Sequence, residues 1–181
     1  MNDAQIGEVF LDADELGSRV RELGAEIARD YAGLEPLLVG SLKACIPFLC
    51  DLSRAIPIHH ALDFVELAGY DSAETGGHEH VRFLKDLATE IGDRHVLLVD
   101  EVVDTGLTMH VLTRTLALRG AASLAAVVLF DRPYRRLVED IPVRYVGFTL
   151  PDEFYVGYGF DLQERWRNLP DLHVLEEVRH S

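Results

Sequence analysis

Cysteine and lysine are both scarce: the 181-residue chain holds two of each. Cys45 and Cys50 cannot form a disulfide framework, and their spacing fits no common zinc knuckle, so both are expected as buried free thiols. Long apolar runs are missing too. No stretch approaches the ~20 apolar residues of a membrane helix. The segment Met1-Asn2-Asp3-Ala4-Gln5 lacks the basic start and apolar middle of a secretion signal, which predicts a cytoplasmic protein. Positive charge is in deficit, with a net charge of −14, and this disfavours nonspecific binding to nucleic acid or to anionic membranes. What is present is a globular composition, 48% apolar and 27% charged. That is too apolar for a disordered chain and long enough for one domain, residues 1–181, with a real core. Arginine supplies fifteen of the seventeen cations, so Lys43 and Lys85 stand out.

The apolar spacing alternates between two periods. From Asp12, an acidic cap, Leu16, Val20, Leu23, Ile27 and Tyr31 recur at helical steps. Leu37-Leu38-Val39 then reads as a buried strand ending at Gly40-Ser41, and Lys43 to Ile56 returns to helical spacing with Pro47 in its first turn. Ala61 to Leu67 reads as a strand. Gly69 to His80, almost without apolar residues, reads as a long loop of the kind that forms lids. His95 to Val99 is a strand, Thr108 to Arg119 a helix stopped by Gly120, and Leu124 to Phe130, Val143 to Leu150 and His173 to Val178 are further strands. Alternating strands and helices, with strands apolar on both faces, predict an α/β domain around a mainly parallel sheet. Ligands of such sheets sit where strands end and helices begin.

The segment from Val96 to Thr108 is the most informative. A buried strand delivers Asp100 and Glu101, then Asp104, then the turn Thr105-Gly106-Leu107-Thr108 that opens a helix. Free backbone N–H groups, two hydroxyls and the positive end of the helix dipole make this turn a phosphate site. The paired carboxylates suit sugar hydroxyls, directly or through Mg²⁺. Capping alone would account for Thr105, but three clustered carboxylates repel one another unless a ligand or cation offsets the cost.

These thirteen residues resemble the 5-phosphoribosyl-1-pyrophosphate binding motif of type I phosphoribosyltransferases. The chain from about Val20 to about Leu175 resembles the hypoxanthine–guanine branch. The resemblance implies a mainly parallel twisted sheet flanked by helices, with a small hood formed by terminal segments. It implies transfer of a phosphoribosyl group to a purine, with Mg²⁺ as cofactor, giving IMP or GMP and pyrophosphate, in a homodimer or homotetramer. By resemblance, Asp100 and Glu101 hold the ribose hydroxyls or the metal, Asp104 is the general acid/base near purine N7, and Thr105, Gly106, Leu107 and Thr108 wrap the 5′-phosphate. Val39 to Ala44 resembles the pyrophosphate loop, in which a lysine follows a non-proline cis peptide, here Leu42 and Lys43. Glu153 to Asp161 resembles the purine-binding strand and loop. Phe154 would stack on the base, the Tyr155 backbone would meet its exocyclic group, and Asp161 would hold Mg²⁺. Arg167 would complete the pyrophosphate clamp, and Tyr70 would close the lid. Lys85 also lies in a stretch that resembles the family, with a surface role as the plain alternative.

Several positions depart from the pattern. Arg132 stands where the branch has a lysine that donates to the purine 6-oxo group, a longer and planar fork. Gly69 replaces a lid serine, the paired acids are reversed, and Ala44 replaces a glycine. Arg135 and Arg136 read as a solvated face, and His78-Glu79-His80 as exposed loop histidines or, in a looped backbone, a zinc site. Two other readings therefore stay open: a phosphoribosyltransferase for another base, motivated by Arg132, and a noncatalytic nucleotide sensor on the same fold. Retention of Asp104, Asp161 and Arg167 favours catalysis.

Overall fold

The computed structural model describes residues 4–70 and 80–177. Helix α1 (Ala13–Asp30) begins at Asp12 with a reciprocal cap: the Glu15 backbone N–H donates to the Asp12 carboxylate at 2.8 Å, and the Asp12 N–H donates to the Glu15 carboxylate at 3.1 Å. Such a box satisfies two N–H groups that the first turn leaves free. The stripe Leu16, Val20, Leu23 and Ile27 is buried as its spacing predicts.

Strand β2 (Leu37–Leu42) leads to α2 (Ile46–Ala55), with Pro47 in the first turn. The strands β3 (Ala61–Tyr70), β4 (His80–Lys85) and β5 (His95–Val103) follow, then α3 (Leu107–Ala117), β6 (Ser123–Asp131), a 3-10 turn at Pro133–Arg135 and β7 (Val143–Thr149). The six-stranded sheet has the order β4-β3-β2-β5-β6-β7 and is parallel except for β4, which runs antiparallel to β3. Alternate residues face opposite layers. Leu38, Leu97 and Val99 pack with α1 and α2, whereas Leu37, Val39, Val96 and Leu98 pack with Leu112 and Leu116 of α3. Both faces are covered, as continuous apolar strands require.

A smaller antiparallel sheet, β1-β9-β8, joins β1 (Ala4–Leu11), β8 (Tyr155–Val156) and β9 (Leu172–Glu177) from the two ends of the chain. This is the hood. The strands β1 and β4 are absent from the sequence reading, and the loop expected over 69–80 is shorter, because β3 continues to Tyr70 and pairs it with His80. The rest of that loop, with His78 and Glu79, lies outside the described residues. Cys45 is buried, but Cys50 is exposed, which corrects the expectation of two buried thiols. At α2 the buried face is set by Phe48, Leu49 and Leu52, and Cys50 falls on the other side.

Asp63 anchors the sheet edge that carries β4. Its carboxylate is buried and accepts from the N–H groups of Phe64, Ala88 and Thr89 at 2.7, 2.9 and 2.8 Å, with Lys85 Nζ at 3.5 Å. Lys85 also donates to the Phe64 and Asp86 carbonyls, so it ties β3 to the segment after β4. Burial works against the Asp63 charge, but the hydrogen bonds and the ammonium outweigh it and hold its pKa below the ordinary value. The stability this adds is present at neutral pH and is lost as pH falls through the folded-state pKa. Asp63→Ala strands several buried donors, with an expected cost of about 1–3 kcal/mol. Urea denaturation of both proteins at pH 7 and at successively lower pH checks it, because the difference between them must shrink in acid.

Candidate active site

Strand β5 stays regular through the first two acids. Asp100 pairs with Val128 of β6 and Val103 with Asp131, so the carboxylates emerge at the C-terminal edge of the central strands. Gly106 then turns the chain with φ +83°, a value that favours glycine, and α3 begins. Its first N–H groups face the turn, and Leu107 N–H donates to Thr105 Oγ1 at 3.3 Å. A methyl group at Gly106 would lie 3.0 Å from the Val138 carbonyl, which shows how tightly the segment after the 3-10 turn packs against this turn.

Leu42, Lys43, Asp100, Glu101, Asp104, Thr105, Gly106, Thr108, Asp161 and Arg167 line one cavity of about 370 Å³. Leu107 opens α3 without lining it. The Leu42–Lys43 peptide is cis, as the resemblance implied. Asp161 and Arg167 form an ion pair at 2.7 Å while both face the cavity. Arg167 also donates from Nη1 to the Gly159 carbonyl at 2.8 Å, and Gly159 N–H donates back to the Arg167 carbonyl at 3.1 Å. Glu164 contacts Arg167 Nη2 at 3.2 Å and Lys43 Nζ at 3.3 Å, and these cations hold its pKa below the ordinary value.

Burial, and after it the Glu101 charge, pushes Asp100 well above the usual carboxylate range. Burial raises Glu101 as well. A donor such as a ribose hydroxyl, or a cation, relieves this cost, so the pair suits a ligand better than it suits the fold. The same burial, with the charges of Asp100 and Glu101, pushes the Cys45 thiol up, which keeps it inert.

Beyond Asp104 stands a second group. Arg132 Nη1 and Arg135 Nη1 each lie 3.6 Å from Asp104 Oδ2, and both guanidinium groups also reach Asp152 Oδ1. Arg132 is only 7% exposed, held by the Tyr134 hydroxyl at 2.9 Å and the Glu153 carbonyl at 2.9 Å. Phe154 is 60% exposed, with the Arg135 guanidinium 5.9 Å from its ring centre. Tyr155 lies in the hood, its ring 5.2 Å from Phe10. These three expected purine residues do not line the cavity that Asp104 lines. Arg132 meets it at Asp104, and Phe154 stands beside Arg135, which also reaches Asp104. Tyr70 ends β3 beside the strand that carries Leu42, and its side chain lies outside the described residues.

The expectation of a solvated face at Arg135 and Arg136 is overturned. The Arg136 side chain is 11% exposed, pairs with Asp131 and donates from Nε to the Asp104 carbonyl at 3.1 Å. Together with the Leu137 and Val138 N–H groups, which donate to the Thr105 carbonyl, it fixes the backbone that presents Asp104. Sequence reading missed Arg136, Asp152 and Glu164. A run of cations in an acidic chain was the available signal for Arg136, and nothing in the sequence pointed to the other two.

Among the described residues, the buried side-chain polar atoms without a hydrogen-bond partner are Glu101 Oε2, Asp104 Oδ1, Tyr155 Oη and Arg167 Nε. Every one belongs to an expected site residue. Unpaired buried polar atoms cost about 1–3 kcal/mol each and persist where a ligand completes them. No group of three or more His, Cys, Asp or Glu side chains could by itself hold a metal among the described residues, so Asp100, Glu101 and Asp161 do not form a closed cage. An oxygen-only donor set with one orphaned carboxylate oxygen fits Mg²⁺, which keeps water and substrate oxygens in its shell. It does not fit zinc.

Residues 8–165 match the phosphoribosyl transferase domain. The chain is 40% identical over 181 residues to a hypoxanthine-guanine phosphoribosyltransferase of Streptococcus mutans, covering 100% of this chain and 99% of that protein. It superposes on a crystal structure of a hypoxanthine-guanine phosphoribosyltransferase from Bacillus anthracis with a TM-score of 0.88 and 34% identity, over 96% of this chain and 100% of that one. A hypoxanthine phosphoribosyltransferase from Staphylococcus aureus gives a TM-score of 0.89 and 37% identity, over 94% and 92% of the two chains. With the parallel sheet, the Thr105–Thr108 turn at its carboxyl edge and the terminal hood all in place, the chain belongs to the phosphoribosyltransferase family.

Proposed function

We infer that the protein transfers a 5-phosphoribosyl group from 5-phosphoribosyl-1-pyrophosphate to hypoxanthine or guanine, giving IMP or GMP and pyrophosphate in purine salvage. The observation that carries this reading is the set of four orphaned polar atoms, all on residues that would touch donor or base. The Thr105–Thr108 turn receives the 5′-phosphate, Asp100 and Glu101 accept from the ribose hydroxyls, and Lys43 and Arg167 hold the pyrophosphate. Arg132 directs an N–H toward the purine oxygen, and Phe154 offers its exposed face for stacking. As purine N9 bonds to ribose C1′, the C1′–O bond breaks and pyrophosphate leaves with the electron pair. Positive charge grows on the sugar, next to the acid pair, and Asp104 takes the proton from N7. Preorganised groups of the right sign at both places are what lower the barrier.

The carboxylates of Asp161 and of the acid pair would hold Mg²⁺, which when bound neutralises charge on the leaving pyrophosphate. Of the described residues, no helix is long and apolar enough to cross a membrane. We place the reaction in the cytoplasm, in a homodimer or homotetramer, both by resemblance to the family; sedimentation of the purified protein checks the assembly. The function is tested with purified protein, the donor, Mg²⁺ and a panel of hypoxanthine, guanine, xanthine and adenine. Nucleotide mass and released pyrophosphate are recorded together. Turnover with hypoxanthine or guanine is expected, turnover with adenine alone would transfer the assignment to another base, and silence across the panel would favour the sensor.

A further inference from the structure

Lys43 and Arg167 both line the cavity, one from the loop after β2 and the other from the loop before β9. A single carboxylate touches both. Glu164 Oε2 lies 3.3 Å from Lys43 Nζ, and Glu164 Oε1 lies 3.2 Å from Arg167 Nη2. The residue has φ +63°, and its own N–H donates to Asp161 Oδ2 at 2.7 Å, so its backbone is pinned in a conformation that aims the side chain at the two cations. Lys43 and Arg167 line the cavity but Glu164 does not. It approaches them from outside, with its side chain 64% exposed and that of Lys43 55% exposed.

A carboxylate that spans two cations with its two oxygens offers them what a pyrophosphate offers, with less charge. Exposed pairs of this kind are weak and exchange readily. Pyrophosphate carries more charge and is further helped by Arg167 Nε, which is buried and without a partner. We propose that Glu164 competes with pyrophosphate for Lys43 and Arg167, setting how tightly the donor is held at that end and how fast the product leaves. The inference rests on the assignment of Lys43 and Arg167 to pyrophosphate. As pyrophosphate departs, the Glu164 oxygens take over the two cations, which removes part of the attraction that would retain it. The site thereby keeps strong cations for the transition state without binding its product too tightly, since interactions equally strong in bound product and transition state slow release.

The test is calorimetric titration of pyrophosphate, with and without Mg²⁺, into the unaltered protein, Glu164→Gln, Lys43→Gln, Arg167→Gln and the double variant Lys43→Gln/Glu164→Gln. Removing a like charge beside the ligand should tighten pyrophosphate by about three- to tenfold in Glu164→Gln. The gain should shrink in the double variant, where Lys43 no longer has a charge to share. Glu164→Asp, charged but too short to span both cations, should fall between. Unchanged or weaker binding in Glu164→Gln would overturn the competition and make Glu164 a positioning residue instead. If Lys43→Gln and Arg167→Gln leave pyrophosphate affinity untouched, the clamp itself is wrong and the inference falls with it. Because Glu164 is exposed, equal melting temperatures are expected for Glu164→Gln and the unaltered protein.

Discussion

Asp104→Asn is expected to lower kcat by about 10²–10⁴ while the KM of the phosphoribosyl donor stays within about threefold. The asparagine side chain has the same shape, and the backbone at 104 is held independently by Arg136 and by the hydrogen bonds to the Thr105 carbonyl. The phosphate loop and the acid pair therefore keep their geometry, and donor binding should survive. What disappears is the carboxylate proposed to accept the purine proton. Two arginines lie 3.6 Å from the Asp104 oxygen. An amide in that place would also leave Arg132 and Arg135 balanced only by Asp152. Initial rates over a grid of donor and hypoxanthine concentrations separate the two effects. A near-normal kcat would remove Asp104 from the chemistry, and a large rise in donor KM would make it a structural support of the loop.

Gly159→Ala should disable donor binding from a position outside the lining of the cavity. The residue has φ +100°, and a methyl group there would lie 2.1 Å from the Ala44 carbonyl. Relief requires the backbone beside Lys43 to retreat or the Gly159 loop to lift, and Gly159 exchanges two hydrogen bonds with Arg167. Either movement separates Lys43 from Arg167, the two cations proposed to hold pyrophosphate. The donor KM should rise at least about tenfold, since misplacement by an ångström can cost a hundredfold in rate. The backbone conformation adds about 1–2 kcal/mol of strain, and at 2–4 °C per kcal/mol in a domain of this size the melting temperature should fall by about 2–8 °C. Scanning calorimetry and donor titration on one preparation check both. An unchanged melting temperature with unchanged KM would mean that the two loops are not in contact.

The central strands, their order of appearance and the turn from Thr105 to Thr108 that opens α3 could be read from residues because their causes are local. Leu37 to Val39 and His95 to Val99 are apolar on both faces, and Asp100 to Thr108 packs carboxylates, hydroxyls and a glycine into one turn. What escaped reading depends on partners far along the chain. Strand β1 pairs with β9, more than 160 residues away, in a register broken between Ile6 and Val9 and between Val9 and Leu11, so no clean alternation marks it. Strand β4 is a polar edge whose register also shifts at Glu66/Leu67. Arg136 looks like a surface cation until Asp131, at the end of β6, is placed beside it. Glu164 sits in a stretch where Gln163, Glu164 and Trp166 all adopt positive φ. Without glycine at those positions, the sequence carries no sign of the turn that brings a carboxylate to Lys43.

Arg132 marks where family resemblance and local geometry differ most. Its fork is already engaged by Tyr134, Asp152 and the Glu153 carbonyl, which leaves only part of it for the proposed contact with a base. Lysine would make fewer fixed contacts here and would leave Asp152 to Arg135 alone.

Phosphoribosyl transfer to a 6-oxopurine at this cavity is tested most directly by a quenched single-turnover experiment. Enzyme in excess of donor is mixed with hypoxanthine and Mg²⁺, and IMP and pyrophosphate are quantified against time. The two products are expected to appear together in equal amounts, and Asp104→Asn is expected to slow both alike. Pyrophosphate released without IMP, or donor bound and left intact with either hypoxanthine or guanine, would contradict it.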